Sequence, residues 1–176
     1  IYKIWYIFQF KKKSNFYPGY YLAAGEVLTV TAKTPIDNWQ IRIGCHSDNI
    51  AGKADWPRYP RVTKQVKLTG AQTSVTSPFG GLIYLVSSGS KGNITVELTN
   101  VVEAPFFDLN SDSSRWNPNA PAPVAEIQGK FLTMSLPSSS IRNLVDPAAL
   151  ARYWDRILEQ DHALRGNLCF FDKDSN

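Results

Sequence analysis

From Tyr17 to about residue 104, apolar and polar residues alternate over short stretches that Gly, Pro, Asn or Asp repeatedly interrupt. Residues 26–31 read as one strand after the turn-like Ala24-Gly25, and in Gln40-Ile41-Arg42-Ile43 the two isoleucines share a face. Val62, Val66 and Leu68 face one way, with Thr63, Gln65 and Lys67 opposite; Ile94, Val96 and Leu98 alternate with Thr95, Glu97 and Thr99. Because successive strand side chains point to opposite faces, this pattern predicts half-buried strands. The continuous apolar run at residues 82–86 predicts a central strand. Many short strands with frequent turns predict an antiparallel β-sandwich over residues 17–104.

The texture then changes. Residues 110–123 are rich in Asn, Ser, Asp and Pro around Trp116, followed by a strand with Leu132, Met134 and Leu136 on one face, which Pro137 ends. Residues 105–136 are therefore expected to be a loop and strand connection. Residues 140–145 suit one helical turn, and Asp146-Pro147 supplies an N-cap with proline at the first helical position. Leu150, Tyr153, Trp154, Ile157 and Leu158 then fall on one stripe, with Gly166 as C-cap. This makes residues 137–166 an amphipathic helical segment whose two large aromatics need a substantial surface. The stripe is expected to pack within the protein, or, in a severed fragment, to make it sticky or dimeric. The fold class is mainly β: an antiparallel β-sandwich followed by a short α-helical segment.

Residues 1–16 and 167–176 are left as tails. The apolar, aromatic first ten residues precede Lys11, Lys12 and Lys13. A signal peptide carries its charge before the apolar stretch, and a membrane span needs about twenty apolar residues. Neither reading fits. The chain opens on Ile1 and its single methionine is Met134, so it reads as a piece of a longer protein.

With 43% hydrophobic and 19% charged residues in a chain of 176, one core can bury most of the apolar surface, and the chain is expected to fold. The lysine run accounts for three of the four net positive charges. No basic stripe interleaved with aromatics remains, which argues against a nucleic-acid partner. Cys45 and Cys169 are far apart and form no ligand pattern; His46 and His162 are the only histidines, and no H-E-x-x-H occurs.

Six segments carry a resemblance: Gly19-Tyr20-Tyr21-Leu22-Ala23-Ala24-Gly25-Glu26, Ile41-Arg42-Ile43-Gly44-Cys45-His46-Ser47-Asp48, Arg58-Tyr59-Pro60, Phe79-Gly80-Gly81-Leu82-Ile83-Tyr84, Ala104-Pro105-Phe106-Phe107, and Asp146-Pro147 leading to Tyr153-Trp154-Asp155. In this order they resemble the M60-like, or enhancin-like, zinc peptidase family, nearest to its TRP-channel-associated factor branch. The resemblance implies a β-sandwich leading into a catalytic subdomain, where an H-E-x-x-H helix and a downstream glutamate hold zinc. That region lies beyond Asn176, so the resemblance assigns this chain no catalytic, metal or cofactor residue. Zinc is expected in the missing carboxyl-terminal subdomain, itself the implied partner of this chain. Three departures from the family pattern are Ile1 to Phe16, which has no counterpart, the stretch after about Leu164 with its tail Asn167 to Asn176, and Val124 where an aromatic is expected.

Four candidate sites follow from the residues. Cys45, His46, Ser47 and Asp48 place thiol, imidazole and carboxylate within four residues. Adjacent strand residues point apart, however, and the cluster reads as a strand end whose Ser47 and Asp48 cap a turn. Phe79-Gly80-Gly81 lacks the lysine and helix of a phosphate loop and reads as a close approach of two backbones. Trp39, Trp56, Tyr59 and Trp116 lie in or beside predicted loops and, if they converge, form a platform for sugar rings or a partner protein. Asn93-Ile94-Thr95 is a glycosylation sequon beside a predicted turn at residues 89–92.

Three functions remain open. One is the non-catalytic amino-terminal part of a zinc peptidase acting on glycoproteins or mucins, outside the cell. Another is a non-enzymatic regulator binding a TRP-type ion channel at the cytoplasmic face of the plasma membrane. The third is a carbohydrate-binding sandwich.

Overall fold

The computed structural model describes residues 4–10, 15–46, 48–87, 92–111 and 116–166. The chain divides into two compact units, Ile1–Ala104 with Ala120–Val124, and Pro105–Asn119 with Ala125–Asn176.

The first unit contains ten strands among the described residues: β1 (Ile4–Phe10), β2 (Asn15–Phe16), β3 (Tyr20–Leu22), β4 (Val27–Ala32), β5 (Trp39–Ile43), β6 (Lys64–Lys67), β7 (Gln72–Thr76), β8 (Gly81–Ser87), β9 (Gly92–Thr99) and β10 (Val102–Glu103). One sheet has the order β1-β9-β4-β7. The other runs β10-β3-β8-β5-β6, with β2 also on β8. The pairings within both sheets are antiparallel. Their inward residues form one core, in which Leu28 and Val30 of β4, Ile41 and Ile43 of β5, Ile83 and Leu85 of β8, and Ile94, Val96 and Leu98 of β9 are buried. Full burial of such a side chain contributes about 1.5–3 kcal/mol, so this cluster holds the sandwich together.

Several strands were not expected, and β1 and β7 are the longest of them in this unit. Residues 1–16 were set apart as a tail, yet Ile4–Phe10 pairs with β9 along its length, from Ile4 opposite Leu98 to Phe10 opposite Gly92. This run belongs to the sheet. Strand β7 alternates inward Thr73 and Val75 with exposed Gln72, Ser74 and Thr76. Threonine stands at one inward position, and its hydroxyl donates to Thr69 O at 3.2 Å, so the segment carries little apolar signal.

Gly80 and Gly81 act as close-approach residues, as expected. A Cβ on Gly81 would lie 2.7 Å from Gly44 Cα, and one on Gly80 would lie 2.5 Å from Leu22 O. Those distances exclude any side chain without a backbone shift.

In the second unit, β11 (Phe106–Asp108), β12 (Val124–Gln128) and β13 (Thr133–Pro137) form a sheet in that order. β11 and β12 run parallel, with Phe107 opposite Ile127, so the mainly antiparallel fold includes a parallel pair. A 3₁₀ turn (Ser138–Ser140) leads towards helix α1 (Pro147–Leu164). Asp146 Oδ1 accepts from Ala149 N at 2.8 Å and Pro147 follows it, as the sequence predicts.

The buried side of α1 differs from the expected stripe. Pro147, Ala151 and Asp155 face inward, whereas Tyr153, Trp154 and Ile157 are 53%, 39% and 39% exposed. Asp155 is stable inside because its carboxylate accepts from Lys130 N at 2.8 Å and Phe131 N at 2.9 Å. The turn it grips begins at Gly129, where a Cβ would come within 2.6 Å of Asp155 Oδ1. Small residues, one carboxylate and the half-buried Leu150 therefore set the seat of the helix, leaving Tyr153, Trp154 and Ile157 outside.

Candidate functional site

The four candidate aromatics do not converge. Trp39 begins β5, follows Asn38 in a left-handed conformation, and alternates inward with Ile41 and Ile43; it is 3% exposed within the sandwich core. Trp116 belongs to the second unit, where its indole N–H donates to Leu144 O at 3.3 Å and its ring meets Phe107 edge-on at 6.3 Å. Both tryptophans serve packing, and neither offers a platform.

Trp56 and Tyr59 remain, on the loop from residue 44 to residue 63. They are 57% and 66% exposed. The loop is tied at several points. Ile50 is buried, and its N–H donates to Pro60 O at 3.1 Å. Arg58 pairs with Asp48 and donates to the carbonyls of Tyr59 and Pro60 at 2.9 and 3.4 Å. The Trp56 indole N–H donates to Lys53 O at 3.1 Å. Holding the loop this way reduces the ordering that an incoming partner would have to impose.

Phe79 completes the surface. Its ring is 5.3 Å from that of Tyr59, tilted by 43°, and it is itself 43% exposed. In the sequence Phe79 stands out only as the neighbour of two glycines. The signal was a large aromatic in a turn too tight to bury it, since Gly80 and Gly81 press against backbone on both sides. Exposed large aromatics rimmed by polar groups are common anchors at binding surfaces.

The thiol–imidazole–carboxylate cluster does not assemble a reactive group. Cys45 is free and half-buried, His46 is exposed, and Asp48 is held by Arg58; Ser47 lies outside the described residues. Burial pushes the nearby Tyr21 phenol above its usual value of 10.0, and the charge of a Cys45 thiolate adds to this. Among the described residues, no three His, Cys, Asp or Glu side chains gather where a metal could be held. Asn93 falls in β9 opposite Gln9, with its side chain outside the described part; of the turn predicted at residues 89–92, residues 89–91 also lie outside it, and Gly92 opens β9. No helix among the described residues is long and apolar enough to cross a membrane.

Comparison with known proteins gives a consistent picture. Residues 3–99 match the N-terminal domain of M60-like peptidases. The TRPM8 channel-associated factor homolog of Danio rerio is 34% identical over 148 residues, 80% of this chain and 16% of that protein. The chain thus spans about a sixth of such relatives. Among solved structures, a conserved Bacillus anthracis protein of unknown function superposes with a TM-score of 0.69 at 18% identity, covering 93% of this chain and 37% of the other. The IMPa metallopeptidase from Pseudomonas aeruginosa gives 0.61 at 21% identity, covering 90% and 20%; other IMPa structures hold T-antigen or an O-glycopeptide. These low identities establish likeness of fold, and the family match establishes membership: this chain belongs to the M60-like peptidase family and carries its N-terminal domain.

Proposed function

We propose that this chain is the non-catalytic, partner-recognising part of an M60-like protein of the channel-associated type. The observation that carries the reading is the pinned loop that exposes Trp56 and Tyr59, with the Tyr59 ring against Phe79. Binding a channel protein is favoured because the relative that covers 80% of the chain at 34% identity is a channel-associated factor. A glycan is the second reading, since the tilted Tyr59–Phe79 pair offers ring faces on which sugars stack.

The described residues do not fit a zinc site, as no metal-holding group gathers among them. Zinc, where the whole protein carries it, is held by a later part of the chain. The exposed face of α1 is the seat for that continuation: Tyr153, Ile157 and Leu164 line a shallow groove of about 430 Å³, and relatives extend far beyond the matched stretch.

The test is Trp56→Ala with Tyr59→Ala in the whole protein, read by co-precipitation with a TRPM8-type channel and by a glycan array. Loss of channel capture with an unchanged melting temperature supports the first reading, and loss of glycan retention alone supports the second. Unchanged binding in both assays rejects the surface. The purified 176-residue chain is expected to leave mucin and casein intact with zinc present; zinc-dependent cleavage would overturn the non-catalytic assignment.

A further inference from the structure

On the first unit, a cleft of about 350 Å³ is lined by Arg42, Arg61, Thr63, Lys64 and Gln65. Three cationic residues and no acidic residue are among those that line it. The other polar groups are already engaged: Thr63 Oγ1 donates to His46 O, and Gln65 Nε2 donates to Gln40 Oε1 at 2.6 Å. The neighbouring Arg58 is paired with Asp48, whereas Arg42, Arg61 and Lys64 enter no ion pair among the described residues.

Arg42 is the informative member. Its guanidinium lies over the Tyr84 ring, 4.3 Å from the centroid, which fixes the plane of the fork. Its Nε is buried with no hydrogen-bond acceptor. A buried donor left unmade is destabilising, and this one belongs to a residue that lines the cleft.

We propose that this cleft binds a phosphate group. Three cationic residues line a small volume, and the guanidinium groups among them supply charge-assisted donors to a phosphate dianion, which carries twice the charge of a carboxylate. A free phosphate and the phosphorylated headgroup of a lipid present the same chemistry. The cleft shares no residue with the Trp56, Tyr59 and Phe79 set, and its test is independent of the binding roles proposed above.

The experiment is an amide chemical-shift titration of the isotope-labelled 176-residue chain with inorganic phosphate, soluble inositol 1,4,5-trisphosphate, and acetate at matched ionic strength. Saturable shifts centred on Arg42 and residues 61–65 are expected with phosphate, at least about tenfold tighter than with acetate. Arg61→Ala with Lys64→Ala, two exposed positions, should weaken binding by at least about tenfold while leaving the rest of the spectrum in place. Tighter binding of inositol trisphosphate identifies a headgroup as the source, and equal binding identifies free phosphate. Shifts scattered over all surface cations, acetate equalling phosphate, or a double variant that binds like the parent would each overturn the site.

Discussion

The two units handle their apolar residues in opposite ways. In the sandwich, the alternation of the sequence and the burial of the structure coincide, and β5 shows it residue by residue: Trp39, Ile41 and Ile43 are inside, Gln40 and Arg42 are not. In the helical unit, α1 buries Pro147, Ala151 and Asp155 and exposes Tyr153, Trp154 and Ile157. The first unit satisfies its apolar faces from its own two sheets. The second sets its helix through a polar clasp and leaves an aromatic face available for another surface.

The largest expected effect tests the first half of this contrast. Ile41→Ala removes a fully buried side chain from the middle of the sandwich core, and it should lower unfolding free energy by about 2–5 kcal/mol. Chemical denaturation measures this, and a loss below about 1 kcal/mol would show that the core is not closed as described.

Next in size is the clasp. Asp155→Ala would leave the N–H groups of Lys130 and Phe131 without their acceptor. The expected loss is about 2–4 kcal/mol, because both bonds are to a charged group. Hydrogen exchange at those two amides should accelerate in the same variant. Unaltered exchange would mean that the carboxylate does not hold the turn.

Legibility in the sequence follows the same division. Strands β5, β8 and β9 were readable because aliphatic residues occupy their inward positions without interruption. Strand β1 was missed because its residues are apolar on both faces, a pattern shared by tails, spans and central strands. Strand β12 was missed because Ala125, Glu126 and Ile127 are all buried, so no alternation marks it. The helix cap was legible because Asp146 and Pro147 act locally. Its buried side was not, because the two N–H groups that stabilise Asp155 come from a turn some 25 residues earlier. The candidate site was half legible. Trp56 and Tyr59 stand where loop aromatics were expected, whereas Trp39 continues an inward alternation into the core and Phe79 is presented by a backbone constraint that hydropathy does not record.

The smallest stability effect carries the most information about the open face of α1. Tyr153→Ser with Ile157→Ser replaces two exposed side chains, and the 176-residue chain should change by no more than about 0.5 kcal/mol. Removing apolar area that nothing in the second unit covers should also reduce self-association, which sedimentation at increasing concentration would detect. In the whole protein the same pair of substitutions should be markedly destabilising, because burial of each large apolar side chain is worth about 1.5–3 kcal/mol. A small effect in both contexts would show that the face remains open to solvent, and the seat for the continuation of the chain would then have to lie elsewhere.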